Sequence, residues 1–315
     1  ARRRSFARMT SHWLRLMAAS AVLAAAAHGQ SSGRQPAPAP SAFPSLDSAQ
    51  LVRDLFALAA DSMEGRRVGT PGGARARTYL LGRIRQIGLS PIGSAVASPF
   101  STTGRSGTKV EGVNLVTLVK GTKSPDRYIV LTAHYDHVGY GGEGSLAPGS
   151  TEVHNGADDN ATTSVALLAI GRAVASAPNR RSSLFIWHGS EERGLMGSRW
   201  YVAHPTVPLD SIAACLNGDM MGRNDPTSAA LLGATAPHRN SPELVDIAMA
   251  ANQAASKFTI DTSWDDPQHR EGWYYRSDHL PYARMGVPAL FFTNKNGSRS
   301  IPCSLYLART RSKTT

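Results

Sequence analysis

Four short segments gather imidazole and carboxylate side chains: Ala133-His134-Tyr135-Asp136-His137, Gly156-Ala157-Asp158-Asp159-Asn160, His188-Gly189-Ser190-Glu191-Glu192 and Asn217-Gly218-Asp219. A single carboxylate in such a setting usually caps a helix. Four acidic segments brought to one place would repel one another and take up protons unless a cation sat among them. Imidazole nitrogen and carboxylate oxygen are zinc-type ligands. The chain has two cysteines, Cys215 and Cys303, too few for a site built of thiolates. Charge arithmetic favours a pair of ions, because three carboxylates and one bridging hydroxide balance two divalent cations. Two metals side by side can hold a carbonyl and its attacking water together. The chemistry then asks for a further carboxylate, off the metal, as general base. The Glu191-Glu192 doublet offers one group for each task.

These residues need a scaffold, and the pattern around them supplies one. From Val113 onward, apolar β-branched runs predict strands over 114–119, 127–132, 183–187, 212–216 and 288–292. Between them, helical spacing predicts helices over 161–175, 195–204, 242–256 and 280–285. Three acidic segments follow strands directly and the fourth opens a helix, which is where an open α/β sheet builds its ligand crevice. Strands alternating with helices imply a mainly parallel sheet covered on both faces. Upstream, Ser45 to Ala60 reads as an amphipathic helix with Leu51, Leu55 and Leu58 on one side. Thr70-Pro71-Gly72-Gly73 reads as a turn, followed by a second helix from Ala74 to Ile87.

The formal charge of +11 would fit a nucleic-acid binder, but its location argues otherwise. Arg2, Arg3, Arg4, Arg8 and Arg15 lie at one end, and Lys295, Arg299, Arg309, Arg311 and Lys313 at the other. Neither stretch holds an acid, so the body between them is close to neutral and no nucleic-acid partner is expected. Residues 1–30 have the plan of an export signal: an arginine-rich start, an apolar run to Ala27 and small residues near Gly29. Arg3-Arg4-Ser5-Phe6 also resembles a twin-arginine signal. The apolar run is below the roughly 20 residues that span a bilayer. The expectation is a periplasmic or extracellular protein with no stable membrane insertion once the signal is removed. Residues 31–44, rich in Ser, Pro, Ala and Gly, read as a flexible linker, and 45–292 as the folded domain. Cys215, within an apolar run, is expected as a buried free thiol.

Taken in order, the chemistry-bearing segments resemble the co-catalytic zinc exopeptidases, a family that includes bacterial leucyl aminopeptidases, glutamate carboxypeptidase and glutaminyl cyclase. The resemblance extends from about Leu51 to Phe292 and is most specific over Glu191-Glu192-Arg193-Gly194-Leu195-Met196-Gly197-Ser198. It implies a three-layer α/β/α sandwich around a mixed, mostly parallel sheet, and hydrolysis of peptide substrates with two zinc ions. By motif, His134 and Asp219 would bind one zinc, Glu192 the other, and Asp159, directly before Asn160, would bridge them. Asp136 would orient the His134 ring, Glu191 would serve as general base to a metal-bound hydroxide, and Asp158 would cap or hydrogen-bond nearby. Aminopeptidase activity is expected ahead of carboxypeptidase activity.

One part of the pattern departs from that family, which closes with a His in a Tyr-His-Thr-Pro-x-Asp motif after the last strand. Here Pro288 to Phe292 is followed by a Ser- and Arg-rich stretch, 293–315, and no His occurs after His279. The expectation is a second zinc with only two protein ligands, Asp159 and Glu192, and hence weakly held, unless His279 substitutes. His137, His154 and His188 are expected in loop hydrogen bonding or the pocket wall, and Trp273-Tyr274-Tyr275 in packing or substrate contact. Two alternatives stand beside the peptidase: a cyclase-type transferase using one zinc, and a metal-poor binding protein on the same fold.

Overall fold

The computed structural model describes residues 46–104, 107–142, 145–223 and 225–294. The expected export signal, the linker, Cys303 and all but the first two residues of the 293–315 stretch lie outside the described residues. Nine strands form one sheet: β1 (Ser90–Pro91), β2 (Ala97–Thr103), β3 (Lys109–Val119), β4 (Ser124–His134), β5 (Arg181–His188), β6 (Ile212–Gly218), β7 (Ser228–Leu232), β8 (Thr259–Asp261) and β9 (Ala289–Thr293). Their order is β1-β3-β5-β4-β6-β9-β7-β8, with β2 paired to β3. The centre, β5-β4-β6-β9, is parallel, while β3 joins it antiparallel through β5 and β7 joins it antiparallel through β9. The sheet is therefore mixed and mostly parallel at its core.

Six helices cover the two faces: α1 (Ser48–Leu58), α2 (Pro71–Ile87), α3 (Thr163–Ser176), α4 (Met196–Ala203), α5 (Pro242–Ala254) and α6 (His279–Arg284). Side-chain alternation along a strand divides the core in two. Ile129, Leu131, Ala133, Phe185 and Trp187 point to one face and meet Leu58, Leu80, Ile84 and Leu168 from α1, α2 and α3. Val130, Leu184, Ile186 and Cys215 point to the other and meet Tyr201 and Val202 of α4 and Tyr282 of α6. Cys215 is a buried free thiol, and burial raises its pKa well above the ordinary value. Burial on both faces is why the central strands read as unbroken apolar runs.

The chain leaves β4 through α3 to β5 on one side, then returns through α4 to β6 on the other. That reversal opens a crevice at the carboxyl end of β4. Among the described residues, no helix is long and apolar enough to cross a membrane. The segment Thr70 to Gly73 is not a free turn: Thr70 caps α2, its hydroxyl accepting from the Gly73 N–H, and Pro71 occupies the first helical turn.

Candidate metal centre

His134 is the last residue of β4, and its ring is buried against the sheet. Ser164 of α3 donates to the His134 carbonyl at 2.7 Å, tying the strand end to the helix. Asp159 stands in the irregular turn that opens α3, after Gly156 at φ 57°, and its peptide bond to Asn160 is cis. Glu191 and Glu192 follow β5 past Ser190, a non-glycine residue at φ 66°. Asp219 follows β6, held by its N–H to the Phe292 carbonyl at 3.1 Å. Neighbouring parallel strands thus deliver their next residues to one spot.

His134 Nε2 lies 3.3 Å from Asp159 Oδ1 and 3.3 Å from Asp219 Oδ1. Two atoms each about 2.0–2.1 Å from a tetrahedral zinc stand roughly 3.3–3.4 Å apart. The spacing of this trio therefore fits a zinc ion. A second trio, His137, Asp159 and Glu192, shares Asp159 with the first. His137 Nδ1 is 2.6 Å from Glu192 Oε1 and 3.9 Å from Asp159 Oδ1. Asp159 lies between two imidazoles, the place a bridging ligand would take. Glu191 belongs to neither trio, yet its Oε2 is 3.9 Å from His134 Nε2.

Burial, then the neighbouring carboxylate of Glu192, raises the pKa of Asp159 to about 7. Glu192 is raised to about 7 and Glu191 well above its ordinary value, again chiefly by burial. For His134, burial alone would lower the pKa, but the carboxylates of Asp219, Glu191 and Asp159 outweigh it and hold it well above the ordinary value. Burial lowers His137 to about 4, so its ring is neutral at physiological pH. The protein alone meets this crowding of acids with protons; divalent cations would meet it with charge. Spacing and electrostatics agree that the residues present fit zinc.

Residues 114–302 match the model of peptidase family M28. The chain belongs to that family. It is 26% identical over 252 residues to a probable leucine aminopeptidase of Arthroderma otae, with 78% of this chain and 61% of the relative aligned. Among solved structures, a zinc-dependent exopeptidase from Parabacteroides distasonis shares the fold at TM-score 0.63 and 17% identity, covering 83% of this chain and 88% of that one. A glutaminyl cyclase from an Acidobacteriales bacterium does so at TM-score 0.62 and 22% identity, covering 85% and 86%. The chain spans 33% to 61% of the length of the first curated relatives it matches.

In this M28 chain the other nominated residues take supporting places. Asp136 is buried, and its carboxylate accepts from the Glu191 N–H at 3.0 Å and the Glu192 N–H at 3.4 Å. Its Oδ1 is 3.8 Å from His134 Nδ1, while its main-chain carbonyl is nearer at 3.2 Å. The carboxylate thus fixes the backbone of the glutamate pair, and the carbonyl faces the ring. Asp158 accepts from the Gly222 N–H at 2.7 Å and pairs with Arg223 at 2.7 Å.

Four histidines sort differently from one another. His279 is fully buried between Tyr274 and Phe291 and belongs to neither trio. His188 bonds Asn114 and Tyr282, and His154 bonds Ser145. His137, expected in loop hydrogen bonding or the pocket wall, does bond Glu192 and line the cleft, and it also belongs to the second trio; its place three residues after His134 at the same strand end was the one hint in the sequence. Sequence reasoning also passed over Ser277 and Asp278. The Ser277 hydroxyl donates to Asp219 Oδ2 at 2.8 Å and accepts from Asn217 Nδ2 at 2.7 Å, fixing that carboxylate. Asp278 is fully buried, accepts from the Ser198 hydroxyl and is raised to about 7, first by burial.

Proposed function

We propose that this chain is a zinc-dependent aminopeptidase that hydrolyses N-terminal peptide bonds with Glu191 as general base. The observation that carries the reading is the position of Glu191: beside the first trio, almost fully buried, and outside both sets of donors. His134, Asp159 and Asp219 would hold one ion, and Asp159 and Glu192 would contribute to another. Bound zinc would supply Lewis-acid polarisation of the scissile carbonyl and would acidify a water. Glu191 takes the proton from the attacking water on its carboxylate and passes it to the leaving amine. Burial makes the protonated form of Glu191 accessible, which suits a group that must hold a proton between two steps. Asp136 keeps that carboxylate aimed by fixing its main-chain N–H.

Support for the amino-terminal direction comes from relatives called probable leucine aminopeptidase and aminopeptidase. The test is turnover of an aminoacyl-arylamide by the zinc-loaded protein. Glu191→Gln is expected to lower kcat by about 10²–10⁴-fold, with bound zinc unchanged. Full turnover in that variant would remove Glu191 from the mechanism and sink the proposal. Because a glutaminyl cyclase shares the fold, a peptide with N-terminal glutamine belongs in the same assay. Ammonia release from it without arylamide hydrolysis would replace the peptidase by the cyclase. Indifference of all binding and turnover to zinc would favour a metal-poor binding protein. Residues 1–30 are read as the signal that exports this enzyme, a reading tested by fusing them to a reporter active only outside the cytoplasm.

A further inference from the structure

We propose that His137 supplies the imidazole ligand of the second metal position, beside Asp159 and Glu192. This rests on the zinc-peptidase reading above and extends it to a residue that the sequence pattern placed in loop hydrogen bonding or the pocket wall.

Asp159 and Glu192 alone give an ion two protein ligands, one short of the three of a catalytic zinc site. Apart from His134 of the first trio, the other described histidines are engaged elsewhere: His188 with Tyr282, His154 with Ser145, His204 with Trp200, His238 with Asp265, His269 beside Trp264, and His279 packed on Phe291. His137 Nδ1 already faces both acids, at 2.6 Å from Glu192 Oε1 and 3.9 Å from Asp159 Oδ1. Moving each gap by about 0.6–0.7 Å brings both to the roughly 3.3 Å edge of a tetrahedral zinc site. Side-chain adjustment alone covers that distance.

The ring lies close against Gly156. A Cβ on Gly156, which adopts φ +57°, would meet His137 Cδ2 at 2.6 Å. The same Cβ would also meet the Asp159 carbonyl at 2.4 Å and the Arg66 guanidinium at 2.6 Å, so Gly156 leaves room for all three. His137 and Glu192 border a small cleft together with Arg67, Val68, Asp136, Val138 and Arg193.

The experiment is zinc stoichiometry and stepwise affinity, measured by competition with a chromophoric chelator on the full chain. The expected result is two zincs for the unaltered protein. His137→Ala should retain the tighter one and bind the second at least tenfold more weakly, with an unchanged far-ultraviolet circular dichroism spectrum. His134→Ala should instead weaken the first. Two zincs of unchanged affinity in His137→Ala would overturn the proposal while leaving the peptidase reading intact. No zinc in the unaltered protein would overturn both. Should His137→Ala not fold, the anomalous difference map of zinc-loaded crystals of the unaltered protein decides. A peak about 2.0–2.1 Å from His137 Nδ1 supports the ligand, and a peak beyond bonding distance of that atom refutes it.

Discussion

Arg66 carries its charge in the interior beside the candidate metal-binding acids. Its guanidinium donates to the carbonyls of Leu58, Tyr135, Asn155, Gly156 and Asp159, at 2.6–3.4 Å. Burial lowers its pKa to about 10, and the negative charges of Asp159, Asp136 and Glu192 work the other way. One side chain therefore ties the end of α1, the turn after β4 and the loop that carries Asp159. Arg66→Met should cost on the order of 3–5 kcal/mol, because it leaves buried carbonyls unpaired and removes a buried positive charge that interacts with Asp159, Asp136 and Glu192. Urea denaturation of the two proteins checks this. Arg66→Lys should not restore the loss, since an ammonium offers three donors without the planar fork; full recovery by lysine would mean that charge alone matters. None of this was legible beforehand, because Glu64-Gly65-Arg66-Arg67 has the composition of a solvated loop. His134, Asp159, Glu192 and Asp219 could be nominated together because each closes a strand or opens a helix. His137 could not be separated from a wall residue, because side-chain direction after a strand end depends on the turn and not on spacing.

At the scale of elements, the signal that reads most clearly is burial on both faces. The cores of β4, β5, β6 and β9 stood out as apolar runs; the observed bounds extend the predicted ones by one to three residues at an end in β4, β5 and β6 and are shifted by one residue in β9. β2 was missed because Ala97–Thr103 is polar and contains Pro99, which an edge strand paired only to β3 tolerates. β7 and β8 were missed because five and three residues give no usable period. The start of α2 shows the opposite error, a helix cap read as a turn. Thr70 accepts from Gly73 N at 3.3 Å and donates to the Arg67 carbonyl at 2.7 Å, so it fixes both the helix and the chain leaving Arg66. Thr70→Ala should destabilise the fold by about 1 kcal/mol, within the 0.5–2 kcal/mol typical of lost caps. Thr70→Ser should retain most of it. A midpoint unchanged in Thr70→Ala would show that Pro71 alone sets the helix start.

For the whole molecule, the balance of charge is local: an almost neutral body with a knot of acids at the crevice and surplus cations near both ends. That knot makes the stability of the metal-free protein depend on pH. Asp159 and Glu192, raised to about 7 from ordinary values of 3.8 and 4.5, are protonated when folded near pH 6. Groups raised in this way contribute stability that is fully present below their unfolded values and lost as pH rises through about 7. His188 and His279 act in the opposite sense, since burial lowers both to about 3 and stability falls as pH drops below 6.5. Both rings lie outside the metal trios, so their effect is common to scans with and without zinc and cancels in the difference. Zinc requires the carboxylates ionised, so binding at pH 6 must expel the protons that the acids hold there, whereas at pH 8 it meets ionised, mutually repelling groups. The zinc-induced rise in Tm is therefore expected to be larger at pH 8 than at pH 6, with the extra stabilisation entering through pH 7. Differential scanning at fixed free zinc measures it. A rise independent of pH would mean that zinc binds elsewhere than among Asp159, Glu192 and their partners.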